Sequence, residues 1–192
     1  MTLRPSRKLQ KYAKICLASF LLILSQNAMA EQKLLDDFKN KPEDRWKFIS
    51  DTVMGGISSG QLSFSVDDDA NFARMVGEVS TENNGGFIQF RRSLINGLPT
   101  NTKGLKLSLR GNGQKYFVHI RTRGTFLPWQ YYQQSFMANE DWSETALLLT
   151  EFRPSGVLLK KTIDPKNIRS IAIVAFGRDH EAKIDVRKVS FF

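Results

Sequence analysis

Apolar residues at every second position constrain this chain more than any other feature of its sequence. In the segments 62–66, 105–109 and 116–120, apolar side chains alternate with mostly polar ones. This spacing predicts strands with one buried face, and no window of a dozen residues carries a helical stripe. The same pattern predicts further strands near 34–38, 46–50, 72–80, 86–92, 130–137, 144–150, 168–176 and 182–191. Short strands separated by Gly, Asn, Asp and Pro predict an all-β sandwich or barrel.

The dipeptide Asn112-Gly113 predicts a hairpin between two of these strands. Asn-Gly is the preferred pair for a two-residue type I′ turn, in which both central residues have positive φ. Such a loop would bring Leu109 opposite Tyr116 and place the apolar residues of both strands on one face. A one-residue slip would set apolar against polar side chains. The hairpin would then have a second face that is cationic and partly aromatic, with Lys106, Phe117, His119 and Arg121.

Two C-terminal segments predict how the strands are arranged. Segment 168–176 is apolar on both faces apart from Arg169 and Ser170, which is typical of a central strand covered on both sides in a two-layer fold. In 182–192 the apolar residues change parity, so a bulge near Arg187-Lys188 is expected. Because the chain ends on an apolar strand, we expect that strand to lie within a sheet, beside the first strand of the mature chain.

The first thirty residues have the order of a secretory signal peptide. Five Lys or Arg residues precede an apolar run at 15–24, and Ala28-Met29-Ala30 is a small-residue cleavage site. A transmembrane helix needs about 20 apolar residues, roughly twice the length of this run. We therefore expect cleavage after Ala30, a periplasmic or secreted location, and one mature domain over residues 31–192.

Removal of the signal peptide would change both the charge and the cysteine count. The chain has 28 basic and 19 acidic residues, a net charge of +9. Five of the basic residues and none of the acidic ones lie in residues 1–30, which leaves a net charge of +4. So small an excess gives no indication of a nucleic-acid partner. Because Cys16 is the only cysteine of the sequence, the mature domain would have no disulfide.

No sequence motif indicates a catalytic or cofactor site. The string at 56–60 matches G-x-S-x-G, but a nucleophile elbow requires a helix after the serine, and an alternating strand follows here. No carboxylate pair stands out for glycosidase chemistry, and the Asp run at 67–69 is a weak calcium signal. The two histidines are 61 residues apart, and no zinc or nucleotide motif occurs. We expect no metal, cofactor, nucleotide or enzymatic activity.

Two glycine-bearing segments are candidates for loops at one end of a binding face. Each joins polar residues to a Gly-Gly step, which lets the backbone approach another group closely. The alternative is that they are irregular turns that support the sandwich, hydrogen-bonded by their own Asp and Asn side chains. The candidate binding residues in these segments are Asp51, Met54, Gly55, Gly56, Ser58, Asn83, Asn84, Gly85 and Gly86.

The aromatic stretch 126–136 is a further candidate for a binding surface. Tyr and Trp suit protein interfaces and sugar platforms because a flat apolar body carries a polar tip. Trp129 and Tyr131 are the candidates here, together with His119 and Arg121 on the polar face of the preceding strand. Three other aromatics are expected in the core: Trp46, Phe87 and Trp142.

Several strings of the sequence resemble the complex I intermediate-associated protein 30 family. They are Trp46 followed by Asp51-Thr52-Val53-Met54-Gly55-Gly56-Ile57-Ser58, then Asn83-Asn84-Gly85-Gly86-Phe87, then Arg110-Gly111-Asn112-Gly113-Gln114-Lys115-Tyr116. The resemblance covers nearly all of residues 34–192, and the D-T-V-M-G-G-x-S string is its most specific part. It implies a jelly-roll β-sandwich of the galactose-binding-domain-like kind.

The resemblance also implies a class of function. Mitochondrial members of that family are assembly chaperones of NADH:ubiquinone oxidoreductase and are not enzymes, whereas similar jelly rolls serve as carbohydrate-binding modules. We therefore expect a non-enzymatic, extracytoplasmic binding or assembly-chaperone-like protein whose partner is another protein, such as a membrane complex. The alternative is a carbohydrate-binding module that holds a glycan through Trp129, Tyr131 and Arg121.

Overall fold

The two-residue periodicity of the sequence becomes strands over most of the described chain. The computed structural model describes residues 32–68 and 70–192, so the predicted signal peptide lies outside the described residues. The strands are β1 (Lys33–Asp36), β2 (Trp46–Ser50), β3 (Ser59–Asp67), β4 (Ala70–Val79), β5 (Phe87–Ser93), β6 (Gly104–Gly111), β7 (Gln114–Thr122), β8 (Tyr132–Ala138), β9 (Ser143–Leu148), β10 (Arg153–Pro154), β11 (Ile168–Phe176) and β12 (His180–Phe191).

The helical segments are short and connect strands. Helix α1 spans Pro42–Arg45, and 3₁₀ turns span Asp51–Met54, Glu82–Asn84, Leu149–Glu151 and Pro165–Asn167. In the part of the chain that the structure describes, no helix has the length and apolar character needed to cross a membrane.

Two antiparallel sheets form a sandwich. Sheet A has the strand order β3-β4-β12-β6-β9 and also carries β1 on β12, whereas sheet B has the order β10-β8-β7-β11-β5-β2. Inward-facing side chains of both sheets form one core, and burial of each large apolar side chain stabilises the fold by about 1.5–3 kcal/mol. The prediction of an all-β sandwich is confirmed. Fully buried side chains in the two segments that predicted it most clearly are Leu105, Leu107, Leu109, Tyr116, Val118 and Ile120.

The predicted hairpin between β6 and β7 is wrong. β6 pairs with β12 and β9 in sheet A, whereas β7 pairs with β11 and β8 in sheet B. Gly113 has a φ of 70° but Asn112 is not at positive φ, so these residues do not form a type I′ turn and instead carry the chain from one sheet to the other. Alternating apolar residues face a common core equally well from one sheet or from two opposed sheets. The pattern therefore determines the buried face of each strand but not its partner.

The predictions for the last two strands are confirmed. β11 is central in sheet B, and its outward-facing Ala172 and Val174 are buried as well as its inward residues. β12 shifts register against β6 between Val186 and Lys188, where the bulge was expected. β1 pairs with the end of β12, which places the first strand of the described residues beside the last one.

Trp46 lies in the core as predicted, but Phe87 and Trp142 do not. Phe87 is half-buried on the outer face of sheet B. Trp142 is half-buried on the outer side of sheet A, where the guanidinium groups of Arg110 and Arg187 each lie 4.6 Å from its ring. Arginine side chains can shield an aromatic ring on the outside of a sheet, so a large aromatic residue does not by itself indicate a core position.

Candidate functional site

The predicted site residues fall into two groups on the sandwich. The glycine segments meet near the start of β5, where Phe87 pairs with Phe176 at the end of β11. His119 and Arg121 lie on the outer face of sheet B, and Arg121 pairs with Ser170 near the start of β11. Because a strand rises about 3.3 Å per residue, the six residue steps from Ser170 to Phe176 separate the two ends of this face by about 20 Å.

The buried carboxylate of Asp51 joins the two glycine segments. It accepts hydrogen bonds from the backbone N–H groups of Ser58 (2.9 Å), Gly86 (2.5 Å) and Phe87 (3.2 Å) and from the hydroxyl of Ser58. Burial raises the pKa of Asp51, but these hydrogen bonds, led by that of Gly86, outweigh it and hold the pKa below its usual value. The carboxylate is therefore an ionised acceptor inside the protein, with no accessible surface for a ligand.

Two glycines leave room for this carboxylate. A Cβ on Gly56 would lie 2.4 Å from Cγ of Asp51, and a Cβ on Gly85 would lie 2.5 Å from its Oδ2. Gly55 and Gly86 instead have positive φ, at 92° and 125°. The close approach and the backbone conformation together explain why the segments need glycine at these four positions.

The remaining candidates of this group have different surroundings. The Ser58 hydroxyl also bonds with the backbone N–H and carbonyl of Ser80, so it has structural partners and is buried. Strand β3 follows Ser58, as expected, in place of the helix of a nucleophile elbow. Asn83 and Asn84 are exposed at positive φ, and Met54 is exposed at the end of the first 3₁₀ turn.

On the outer face of sheet B, four rings form what we call the aromatic cluster. His119 of β7 and Tyr131, just before β8, stack with their ring centroids 4.1 Å apart and their planes at 11°. Phe176 meets His119 at 5.4 Å and Phe117 at 5.7 Å, both edge to face. The cluster explains why the outward side of β11 is buried, and it brings together two of the predicted site residues, His119 and Tyr131.

His119 is the most strongly perturbed titratable group of this face. Burial lowers the pKa of His119 to about 3, so its imidazole is neutral at ordinary pH. Its Nε2 has no hydrogen-bond partner among the described residues. A neutral ring under Tyr131 serves as an apolar stacking surface.

The loop from β7 to β8 places apolar side chains beside the aromatic cluster. Arg121 donates to the carbonyl of Leu127 at 2.8 Å and so holds this loop against the sheet. Ser155 bonds to the backbone of Trp129 and of Tyr131, which joins the loop after β10 to it. We call the exposed apolar residues of the two loops the apolar rim: Phe126, Leu127, Trp129, Val157 and Leu158.

The described residues contain no group of three or more His, Cys, Asp or Glu side chains placed to hold a metal ion. Asp67 of the acidic run pairs with Arg110 at 3.0 Å, and Asp69 lies outside the described residues.

Sequence reasoning missed several residues of this face. The alternation places Phe117 on the same face as His119 and Arg121 without marking it as a site residue, and it identifies Phe176 only as part of a strand. No pattern in the sequence indicates Val157 or Leu158. Arg91 and Arg169 line a cleft with Arg121. Nothing in the sequence indicates that Arg91 belongs to a site, and for Arg169 the only indication is a charge within an otherwise apolar strand. Only the pairing of β5, β11 and β7 places these three cations together, and pairing between distant segments is not readable from alternation.

Comparison with known proteins supports both the family and the fold. The family model described as complex I intermediate-associated protein 30 matches residues 36–186. Among curated proteins, none matches the chain by sequence.

Among solved structures, the chain resembles a family 11 carbohydrate-binding module from Clostridium thermocellum, solved with a β-1,3-1,4-mixed-linked tetrasaccharide. The TM-score is 0.68 at 16% identity, over 84% of this chain and 95% of that one. An exo-β-agarase gives 0.58 at 8% identity, over 83% of this chain and 25% of that one. A family 30 carbohydrate-binding module gives 0.53 at 10% identity, over 71% and 91%. These likenesses establish the galactose-binding-like jelly-roll fold.

We predict that Asp51→Ala lowers the free energy of unfolding by about 3 kcal/mol, because it leaves buried N–H groups without an acceptor. Urea denaturation measures the change. The exposed Asp141 provides the matched control, and Asp141→Ala should alter the free energy by no more than about 0.5 kcal/mol. Equal effects of the two substitutions would contradict the role assigned to Asp51.

We predict that the protein loses stability as the pH falls from about 6.5 to 4.5. Burial lowers the pKa of both His119 and His180, so these histidines take up protons at a higher pH in the unfolded chain than in the folded protein, and a falling pH favours unfolding. His119→Gln should remove about 2 kcal/mol of this pH dependence, since one pH unit is worth about 1.4 kcal/mol per proton. Urea denaturation at several pH values measures it, with His180→Gln as the comparison. An unchanged slope in His119→Gln would rule the interpretation out.

Proposed function

Because this chain belongs to the complex I intermediate-associated protein 30 family, we propose that it is a non-catalytic binding protein that assists the assembly of a partner protein. The partner is held on the outer face of sheet B, and the protein works outside the cytoplasm. The location follows from the signal-peptide pattern of residues 1–30.

The surface that carries the proposal is the aromatic cluster together with the apolar rim. Val157 is 99% exposed and Leu158 is 86% exposed, and Trp129 is 63% exposed in the loop joined to theirs. Contiguous exposed apolar side chains mark interaction sites in soluble proteins. Aromatic residues, Met and Arg are enriched at the centres of protein interfaces, and Trp, Tyr and Arg dominate their binding energy.

His119 and Ser58, two of the predicted site residues, have surroundings that fit binding better than catalysis. His119 is buried and neutral below Tyr131, and the hydroxyl of Ser58 is occupied by Asp51 and Ser80 on another part of the sandwich. Neither group is placed to exchange a proton with a bound molecule.

Site-specific photo-cross-linking tests this proposal in the cells that produce the full chain. A photoreactive phenylalanine in place of Phe126 or of Met137 should give the same cross-linked protein, because both positions are exposed on the sheet B side. The control is Lys183, which is exposed on sheet A and should give no such product. Trp129→Ala should weaken the association about tenfold, as expected for a central Trp.

Two outcomes would count against the proposal. Cross-links from Lys183 but from neither sheet B position would assign the partner to the other face. A product that is insensitive to Trp129→Ala would remove the apolar rim from the interface. Fractionation of the same cells tests the location, and accumulation of the chain in the cytoplasm would contradict it.

A glycan is the second candidate ligand, favoured by the stacked rings of His119 and Tyr131 beside the exposed Trp129. Flat aromatic surfaces of this kind suit sugar rings, and the family 11 module of the same fold was solved with a tetrasaccharide.

Affinity electrophoresis tests the glycan. If the glycan is the ligand, mixed-linked β-1,3-1,4-glucan in the gel should retard the protein, and Trp129→Ala and Tyr131→Ala should abolish the retardation. Trp142→Phe changes an aromatic residue on sheet A and should have no effect. Equal migration with and without the polysaccharide would exclude this glucan as the ligand.

A further inference from the structure

Three arginines from different strands converge at one end of the outer face of sheet B. Arg91 lies on β5, Arg121 on β7 and Arg169 on β11, and they line what we call the arginine cleft. Other residues lining it are Ser93, Thr125, Phe126 and Ser170. Its volume of about 270 Å³ is below the usual range of a site for a whole small molecule, so it suits a single chemical group of a larger ligand.

A bulge in β11 turns the side chain of Arg169, the third cation, toward the cleft. Residues Ile168 and Ser170 pair with Thr122 and Arg121, and the register shifts between them. Strict alternation would turn Arg169 toward the core, since Ser170 already faces outward. The bulge instead leaves Arg169 exposed at the cleft, which is how a bulge re-aims a side chain.

The three cations have no countercharge of their own. Within residues 32–68 and 70–192, no carboxylate forms an ion pair with Arg91, Arg121 or Arg169. Two buried carboxylates of the sandwich instead hold other arginines: Asp36 holds Arg45 and Arg92, and Asp185 holds Arg74 and Arg110.

The cleft is electrostatically unfavourable when empty. Burial and then the charge of Arg121 lower the pKa of Arg91, and burial and then the charge of Arg169 lower that of Arg121. Hydrogen bonds to Asp185 instead raise the pKa of Arg74 and Arg110. Guanidinium groups remain charged in proteins, so the repulsion persists until an anion enters.

We infer that the arginine cleft is a subsite for a carboxylate side chain of an acidic segment of the partner protein. The inference rests on the proposed function and names the chemistry of the partner. The planar fork of a guanidinium matches a carboxylate in two parallel hydrogen bonds. Phe126 belongs both to the cleft and to the apolar rim, so one segment would place its carboxylate between the arginines and its apolar side chains on the rim. Val157 and Leu158 offer no ring surface to a sugar, which favours a polypeptide.

Binding of defined polyanions to the full mature domain tests the inference. The probes are fluorescently labelled poly-L-glutamate, polygalacturonate and inorganic polyphosphate of similar length, compared by anisotropy at two ionic strengths. The substitutions are Arg91→Gln and Arg169→Gln, singly and combined, because Arg121 also supports its loop through Leu127. Lys183→Gln removes one exposed charge from sheet A and is the matched control for each single substitution.

We expect poly-L-glutamate to bind best of the three probes and the double substitution to weaken it at least tenfold. Lys183→Gln should change its affinity less than twofold. The double substitution should also leave the urea midpoint unchanged or higher, because it removes repulsion; a purely structural role of these arginines would lower the midpoint.

Each contrary result overturns a stated part of the inference. Equal losses in Arg169→Gln and in Lys183→Gln, each of which removes one charge, would reduce the effect to net charge. Tenfold tighter binding of polygalacturonate or of polyphosphate would replace the acidic polypeptide by an acidic glycan or by a phosphate. If cross-linking from Phe126 and Met137 succeeds but the arginine substitutions leave poly-L-glutamate binding unchanged, the subsite is wrong and the proposed function stands. If the substitutions weaken poly-L-glutamate binding but no cross-linked protein is found, the anion subsite stands and the protein partner is wrong.

Discussion

The buried carboxylate of Asp51 is the interaction on which the arrangement of the two sheets depends at one end of the sandwich. It follows β2 of sheet B, it binds Ser58 just before β3 of sheet A, and it binds Gly86 and Phe87 at the start of β5 of sheet B. One ionised group thus fixes three chain segments that belong to different sheets. Such a network is stable only when all its donors are satisfied, which requires the close approach that Gly56 and Gly85 allow.

The two outer faces of the sandwich differ in whether their arginines are paired with carboxylates. On sheet A, Asp185 lies between Arg74 and Arg110, so these two cations have a countercharge within the fold. On sheet B, Arg91 and Arg169 form no ion pair with a carboxylate of the described residues, and the face beside them is apolar and aromatic. Folding alone gives no reason to place unpaired cations beside exposed apolar groups. Binding gives a reason, because a ligand that is both acidic and apolar would pair with the cations and cover the apolar groups at the same time.

Alternation in the sequence was sufficient to predict the strands, their buried faces and the bulge near Arg187, because a change of parity within one apolar strand requires an extra residue in its ladder. It was insufficient to predict pairing: β6 and β7 lie in opposite sheets although their inward faces are as expected. The same holds for the candidate site, where local sequence predicts some residues and only long-range strand pairing brings in the others. His119 and Tyr131 were selected from local sequence and do stack, whereas Arg91 and Arg169 were missed because only long-range pairing and a second bulge bring them to the cleft.

The distance between the Asp51 network and the arginine cleft limits what membership of the family indicates about the ligand. The string from Asp51 to Ser58, which resembles the family most specifically, lies about 20 Å along the sheet from the arginine cleft. Its Asp51, Gly56 and Ser58 are buried, whereas Val53, Met54 and Ile57 are exposed. Asp51, Gly55, Gly56 and Ser58 have the residue types that a buried carboxylate and tight backbone turns require. These four residues therefore serve the fold, and in the proposed function the choice of ligand lies in the loops and strand ends that present Trp129, Val157 and Arg169. A relative could keep the first set unchanged and bind a different partner through the second.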